Sequence, residues 1–202
     1  NLDSDDTNAN SVVATDYTGV LTINADDTEL NAGNNAANTI TGGTGSDTLK
    51  ITVSGEALIA EDFDSITKVE TFEIVGTTAA ATITIADENA VGTSTSTETL
   101  TIDASSLTTG VATINASAEN DAAIVIKTGG AADVITGAAT TAYGDTITSG
   151  SGADTITGGA GADSAKLDDT SMSINSNQRA ELMAKLAGRS DAASPSATKC
   201  LV

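Results

Sequence analysis

The 202-residue chain contains no histidine, no tryptophan and a single cysteine. Without histidine, His-based general-base and triad chemistry is excluded. Cys200 has neither a histidine to activate it nor a second cysteine to pair with, so thiol catalysis and an internal disulfide framework are both unexpected. Two Tyr and two Phe are the only aromatic residues, too few to line a sugar cleft, which argues against carboxylate-pair glycosidase chemistry. Basic residues number 8 against 28 acidic ones, a formal net charge of −20. So acidic a chain repels nucleic acid and anionic membrane surfaces. Its natural small partner is a hard cation. No segment reaches the roughly 18 apolar residues of a membrane helix. The first residues, Asn1 to Asp6, lack a basic-then-apolar leader, so we expect a chain that starts after a processing site or is a piece of something longer. No Gly-Lys-Ser or Gly-Lys-Thr follows the glycine-rich turns, so they are not phosphate loops. On this inventory the chain is expected not to be an enzyme.

What is present is repetition. Asp-Thr-Ile-Thr occurs at 145–148 and at 154–157, and Thr-Ile-Asp-Ala-Ser at 101–105 returns as Thr-Ile-Asn-Ala-Ser at 113–117. Isoleucines 102, 114, 126, 135, 147 and 156 are spaced 12, 12, 9, 12 and 9. These blocks read as short strands followed by turns rich in Gly, Ala, Asn or Asp, not as helices of period 3.6. Nine to twelve residues suit one rung, or half a turn, of a solenoid in which stacking aligns Ile on Ile. The apolar fraction of 39% is mostly Ala, Val, Ile and Leu, which fits a thin, regular core. High charge with few aromatics is also the composition of a disordered chain, so order is expected once a cation neutralises the carboxylates.

The predicted architecture is all-β: a parallel β-roll or β-solenoid over 1–165, with a short C-terminal helix in 166–202. Residues 1–15 are expected to be loose, and candidate rungs are Gly19–Asn24, Asn38–Thr41 and Thr48–Ser54. Phe63, Ile66, Val69, Phe72 and Ile74 suggest a short helical turn leading into a strand. Asp26-Asp27 and Asp5-Asp6 read as solvated charge, and Gly92 to Thr99 as exposed turn surface. Before Lys166 there are 24 acidic and 3 basic residues, and from Lys166 onward 4 and 5. There Ser176 to Gly188 has the pattern of a capped amphipathic helix, expected to shield the solenoid end, with a loose tail beyond.

Gly42-Gly43-Thr44-Gly45-Ser46-Asp47-Thr48-Leu49-Lys50 matches the nonapeptide G-G-x-G-x-D-x-U-x, in which U is a large apolar residue. Ser149-Gly150-Ser151-Gly152-Ala153-Asp154-Thr155-Ile156-Thr157 approaches it, and Gly158-Gly159-Ala160-Gly161-Ala162-Asp163 repeats its first six positions, with Ala165 in place of the large apolar residue. Asp145, Asp154 and Asp163 are nine apart, Asp133 precedes Asp145 by twelve, and Asn38 precedes Asp47 by nine. Calcium takes six to eight oxygens, carboxylate and carbonyl alike. Glycines let a turn aim its carbonyls at an ion. We expect the nine-residue step to place equivalent aspartates on adjacent turns, with an ion between them and with loosening of the roll in its absence. Candidate ligands are the carboxylates of Asp145, Asp154 and Asp163, with carbonyls around Gly150, Gly152, Gly159 and Gly161. Asp133 is a further candidate. Asp47 with Gly42, Gly43 and Gly45 is a second site, expected to be weak because only the degenerate Asn38 turn stands beside it.

These residues resemble the repeats-in-toxin, or haemolysin-type, calcium-binding repeats. The resemblance covers turns at 33–50 and 128–165 and implies a parallel β-roll that binds calcium in its turns and folds outside the cell. Ile66 to Ile74 and the Asp-Ala-Ser and Asn-Ala-Ser rungs are similar to segments of bacterial S-layer proteins and large adhesins. Together they suggest an extracellular calcium-binding structural segment of a surface layer or adhesin, partnered by calcium ions and by itself or other surface proteins. The alternatives are a calcium-dependent secretion and folding module of a larger exported toxin or enzyme, and a phage virion structural protein.

Overall fold

Alternating small polar and branched apolar residues, broken by glycine and Asx turns every few positions, give many short strands. In a computed structural model, which describes residues 10–31, 38–89 and 99–167, these strands run in chain order as β1 (Ser11–Val13), β2 (Thr22–Asp26), β3 (Thr39–Thr41), β4 (Thr48–Thr52), β5 (Ala57–Leu58), β6 (Ile66–Thr67), β7 (Thr71–Val75) and β8 (Ala81–Thr84). They continue as β9 (Thr99–Asp103), β10 (Ala112–Asn115), β11 (Ala123–Lys127), β12 (Val134–Thr136), β13 (Thr146–Thr148), β14 (Thr155–Thr157) and β15 (Ser164–Lys166). Two single-turn helices, α1 (Asp27–Leu30) and α2 (Ala60–Phe63), and a 3-10 turn at Asp87–Asn89 sit between strands. All described residues fall within one compact unit, Asn1–Met172.

Every strand pairing is parallel, and the chain winds through about six turns of a β-solenoid. One sheet has seven strands in the order β15-β13-β11-β9-β7-β4-β2, a second has five in the order β14-β12-β10-β8-β5, and a third has three, β1-β3-β6. The fold class is thus the one expected. Parallel pairing in register places like residues on like. Ile23, Leu49, Phe72, Ile102, Ile126, Ile147 and Ala165 form one row in the seven-stranded sheet. Leu58, Ile83, Ile114, Ile135 and Ile156 form the facing row in the five-stranded sheet. The isoleucine series read from the sequence therefore alternates between two sheets, and each step of nine or twelve is half a turn.

From Phe72 onward the turn shortens along the chain. From Phe72 to its partner Ile102 is 30 residues, from Ile102 to Ile126 is 24, from Ile126 to Ile147 is 21, and from Ile147 to Ala165 is 18. The last value is two nonapeptides. The side chains in the row shrink in parallel. Both phenylalanines of the chain are used in the wide part, where Phe63 and Phe72 stack with ring centroids 5.3 Å apart. Ile102, Ile126 and Ile147 are buried, Ile156 is half-buried, and Ala165 is exposed. A narrower turn has no room for a large pair across the core.

Two expectations need correction. Residues 11–13 form β1, paired with β3, because Val12 joins the row of Ile40 and Ile66. Asp27 is not solvated charge: it is fully buried, and its carboxylate accepts bonds from the Ser54 N–H (2.6 Å), Gly55 N–H (2.9 Å), Glu56 N–H (3.0 Å) and Ser54 hydroxyl (2.7 Å). Four donors around one carboxylate compensate its burial. The helical turn expected near Phe63 is α2, and Asp62 caps it by accepting the Ile59 N–H at 2.8 Å. The expected C-terminal helix and tail, the loose first residues up to 9, and nearly all of Gly92 to Thr99 lie outside the described residues.

Ile126 sits between Ile102 and Ile147 with no exposure. Ile126→Ala is expected to lower stability by about 2–5 kcal/mol, the usual cost of emptying such a site, while the outward-facing Val134→Ala changes it by less than about 0.5 kcal/mol. Urea unfolding followed by circular dichroism in calcium checks both.

Candidate metal centre

The residue just before a strand does a recurrent job. Asp133 Oδ1 accepts the N–H of Ala112 (2.8 Å), which holds the same place one turn earlier. Asp154 Oδ1 accepts the N–H of Asp133 (3.0 Å), Asp145 Oδ1 that of Ile124 (2.8 Å), and Asp163 Oδ1 that of Asp145 (3.0 Å). In the wider part Asp47 Oδ1 accepts from Leu21 (2.9 Å), Glu70 Oε2 from Asp47 (2.6 Å), and Asn38 Oδ1 from Asn10 (2.8 Å). Each side chain thus extends the backbone ladder of the sheet by one rung, between turns rather than within one. The aspartate of the motif is a brace as well as a charge.

This arrangement sorts the acidic residues into columns. Turns 128–133 and 149–154 both lead from the seven-stranded sheet to the five-stranded one, so Asp133 and Asp154 stack at one corner. Turns 137–145 and 158–163 lead back, so Asp145 and Asp163 stack at the opposite corner. The expectation that a nine-residue step brings Asp145, Asp154 and Asp163 onto adjacent turns is corrected. Nine residues is half a turn, and the partners are 21 apart at one corner and 18 at the other. Asn38 is likewise not beside Asp47: it precedes β3 in the three-stranded sheet, while Asp47 precedes β4 in the seven-stranded one. The turn adjoining 42–47 is that of Tyr17 and Gly19, where Thr44 N–H donates to Tyr17 O at 2.9 Å.

Turns at a corner lie close. Ser151 N–H donates to Gly129 O (3.0 Å), and Ala160 N–H to Ala138 O (3.1 Å). Gly152 and Gly161 have φ of 133° and 108°, in the region that favours glycine. A Cβ at Gly152 would overlap Ala131 O, and one at Gly161 would overlap Tyr143 O. A Cβ at Gly42 or Gly158, the first glycine of the motif, would strike Oδ2 of that motif's own aspartate, Asp47 or Asp163. The glycines therefore let the carbonyl of the neighbouring turn and the second carboxylate oxygen come close to the backbone.

A family model for the RTX calcium-binding nonapeptide repeat matches residues 32–50 and 140–165, in four copies. The two-nonapeptide turn and the stacked aspartates agree with it. The chain carries RTX calcium-binding repeats. No curated protein and no solved structure matches it. Such repeats bind calcium in their turns, and in this solenoid they form a calcium-binding structural module. Proteins with RTX repeats are typically secreted. No described helix is long and apolar enough to cross a membrane.

Turn 149–154, a matched repeat, and turn 128–133, which precedes the matched residues, together fit a calcium ion. Asp133 Oδ2 is buried and receives no hydrogen bond, and Ser149 Oγ, across the corner from it, is equally buried and unpartnered. The Thr128 hydroxyl is committed to Ser149 O at 2.8 Å. With the Gly129 N–H it favours the charge on Asp133 without reaching hydrogen-bond geometry at Oδ2. Such orphaned oxygens are costly unless a ligand fills the space. Among the described residues no three acidic or thiol side chains gather into one cluster. A bound ion must therefore take most of its six to eight oxygens from turn carbonyls and water. Asp47 and Asp145 differ from Asp133: Asp47 accepts the Leu21 N–H at Oδ1 and the Gly43 N–H at Oδ2 (2.5 Å), and Asp145 accepts the Ile124 N–H at Oδ1 and the Ala138 N–H at Oδ2 (2.6 Å). In each of these two carboxylates both oxygens are bonded without an ion.

Burial raises the carboxyls of Asp133 and Asp145, and their stacked partners Asp154 and Asp163 add to the rise. Glu119, in the turn before β11, is pushed up to about 7 by burial, with Asp121 adding to it. A surface contrast is Asp103: burial raises it, but the Ser105 hydroxyl and N–H and the Lys127 ammonium, 3.1 Å away, together hold it below the usual range. Glu70, Glu119 and Ser149 were not among the sequence candidates. Glu70 and Glu119 lie outside any nonapeptide, and Ser149 stands where the motif has glycine. Only Glu70 left a signal, being acidic just before a strand.

Gly152→Ala is expected to move the calcium midpoint of the circular dichroism transition upward at least tenfold, because a side chain there meets Ala131 O from a strained backbone. A midpoint like that of the unchanged chain would mean that turn 149–154 does not hold an ion. Raised carboxyls bind protons more tightly folded than unfolded, so they oppose folding progressively as pH rises above the unfolded value. In EGTA, the melting temperature is expected to fall between pH about 4.5 and about 7, the interval over which Glu119 is affected. In saturating calcium the slope reverses, because protons compete with the ion for the same oxygens. Thermal melts at pH 5 and 7.5 in both media test the two signs.

Proposed function

We propose that this chain is a calcium-rigidified structural segment of an extracellular surface protein, a surface layer or an adhesin, and that it is not an enzyme. The observation that carries this reading is the pairing of Asp133 with Asp154 and of Asp145 with Asp163 at opposite corners of a parallel solenoid. The residues that would hold calcium are these four aspartates, with carbonyls around Gly150, Gly152, Gly159 and Gly161. The turn of Gly42, Gly43, Gly45 and Asp47 is the weaker site: its carboxylate is already bonded, as that of Asp145 is, but no matched repeat stacks on it. Calcium supplies positive charge where stacked carboxylates repel. It supplies this only where its concentration is high, as it is outside cells. A rod of stacked turns resists extension and sets a fixed spacing between whatever lies at its ends, which suits a layer or a stalk. The absence of histidine, the single cysteine and the scarcity of aromatics support a structural over a catalytic role. The charge of −20 argues against nucleic acid as a partner. The partners are calcium, and copies of itself or other surface proteins.

Far-ultraviolet circular dichroism during calcium titration, after EGTA treatment and with magnesium as control, tests the metal dependence. A gain of β signal with calcium alone is expected. Asp154→Asn with Asp163→Asn is expected to abolish most of that gain, whereas Asp47→Asn leaves it nearly intact. An unchanged β spectrum in EGTA and calcium alike would overturn the role given to the ion. Association is tested by light scattering of the chain in calcium.

A further inference from the structure

The buried acids of the wider half are satisfied by the protein itself: Asp27 holds four donors and Asp47 two. The buried side-chain oxygens without a partner, among the described residues, are Glu119 Oε2, Asp133 Oδ2 and Ser149 Oγ. Two of these belong to the corner of Asp133 and Asp154. The third does not. Glu119 lies in turn 116–122, between β10 and β11, outside the residues matched as RTX repeats.

Glu119 has no exposure at all. Its Oε1 accepts the N–H of Asp121 (2.9 Å) and of Ala122 (2.8 Å), which accounts for a turn-closing role. That role needs one oxygen. Oε2 is equally buried and receives nothing. Asp121 stands beside Glu119, close enough for their carboxyl groups to interact. Glu119 O accepts the N–H of Ala139 at 2.7 Å, so turn 116–122 rests directly on turn 137–145. That second turn rests in the same way on turn 158–163, through Ala160 N–H and Ala138 O. The three turns are successive tiers of one corner, and the lower two carry Asp145 and Asp163.

We infer that this corner holds a further calcium site, one tier before the matched repeats, with Glu119 Oε2 and the Asp121 carboxylate as its acidic oxygens. The remaining oxygens come from the carbonyls of turn 116–122 and turn 137–145 and from water, as a hard cation with six to eight ligands permits. The site joins a turn of unrelated sequence to the repeat column. Calcium binding there clamps the RTX end to the wider solenoid. The inference rests on calcium binding by the neighbouring turns, and the test separates the two.

The count of calcium ions bound to the full chain is read by native mass spectrometry across a calcium titration, beside thermal melts in calcium and in EGTA. Glu119→Gln keeps an oxygen for the Asp121 and Ala122 N–H groups. It is expected to bind one calcium fewer than the unchanged chain, to show a smaller rise in melting temperature with calcium, and to melt in EGTA at the same temperature or higher. Asp121→Asn, at an exposed position, is expected to lose the same ion or to bind it at least tenfold more weakly. It decides alone if Glu119→Gln does not fold. Unaltered counts and calcium-dependent melting in the variants overturn this site while leaving the repeat sites standing. An unchanged chain that binds no calcium overturns both readings.

Discussion

A parallel solenoid depends on keeping each turn in register with the last, and here a side-chain oxygen guards that register at the start of the strands. Asn38, Asp47, Glu70, Asp133, Asp145, Asp154 and Asp163 all accept the N–H of the residue one turn earlier at the same height. A slip by one residue would lose that bond and turn the inner row of Ile and Leu outward. The polar brace and the apolar row thus enforce the same pairing. Their agreement is what lets strands of only two to five residues stack without long loops or large side chains.

The same brace gathers charge that a cation would neutralise. Repeating an acidic residue at a fixed height stacks carboxylates turn upon turn. In the wide half the protein answers with its own donors, as around Asp27 and Asp47. In the narrow half the turns are short, and their N–H groups are spent on turn-to-turn bonds such as Ser151 to Gly129 and Ala160 to Ala138. Fewer donors remain: Asp145 keeps the Ala138 N–H at its second oxygen, Asp133 Oδ2 is left bare, and burial raises both carboxyls. Calcium answers the same electrostatic demand from outside. Tapering the turn toward 18 residues therefore leaves charge that, on the proposed function, a calcium ion neutralises.

The fold was legible because its signal is periodic. Ile102 to Ile156 gave the rungs, and the nonapeptides gave the chemistry of the turns. Legibility failed where a residue's role depends on which turn lies above it. Asp27 read as solvent-facing charge beside Asp26, yet the turn of Ser54 to Glu56, a full circuit later, closes over it. Asp154 read as the neighbour of Asp145 and Asp163, yet it belongs with Asp133. Glu119 carried no motif, because its burial arises from the turn packed against it and not from the residues around it in the chain.

By itself the sequence determined the all-β solenoid, the size of a rung, the metal class and the absence of histidine chemistry, since strand periodicity, glycine turns and side-chain inventory are local properties. The tertiary structure alone decided that nine residues is half a circuit, which aspartates face each other, which oxygens are left without donors, and where the core narrows. Those depend on contacts between residues 18 to 30 positions apart, and that distance is set by how many residues each turn needs to enclose its core.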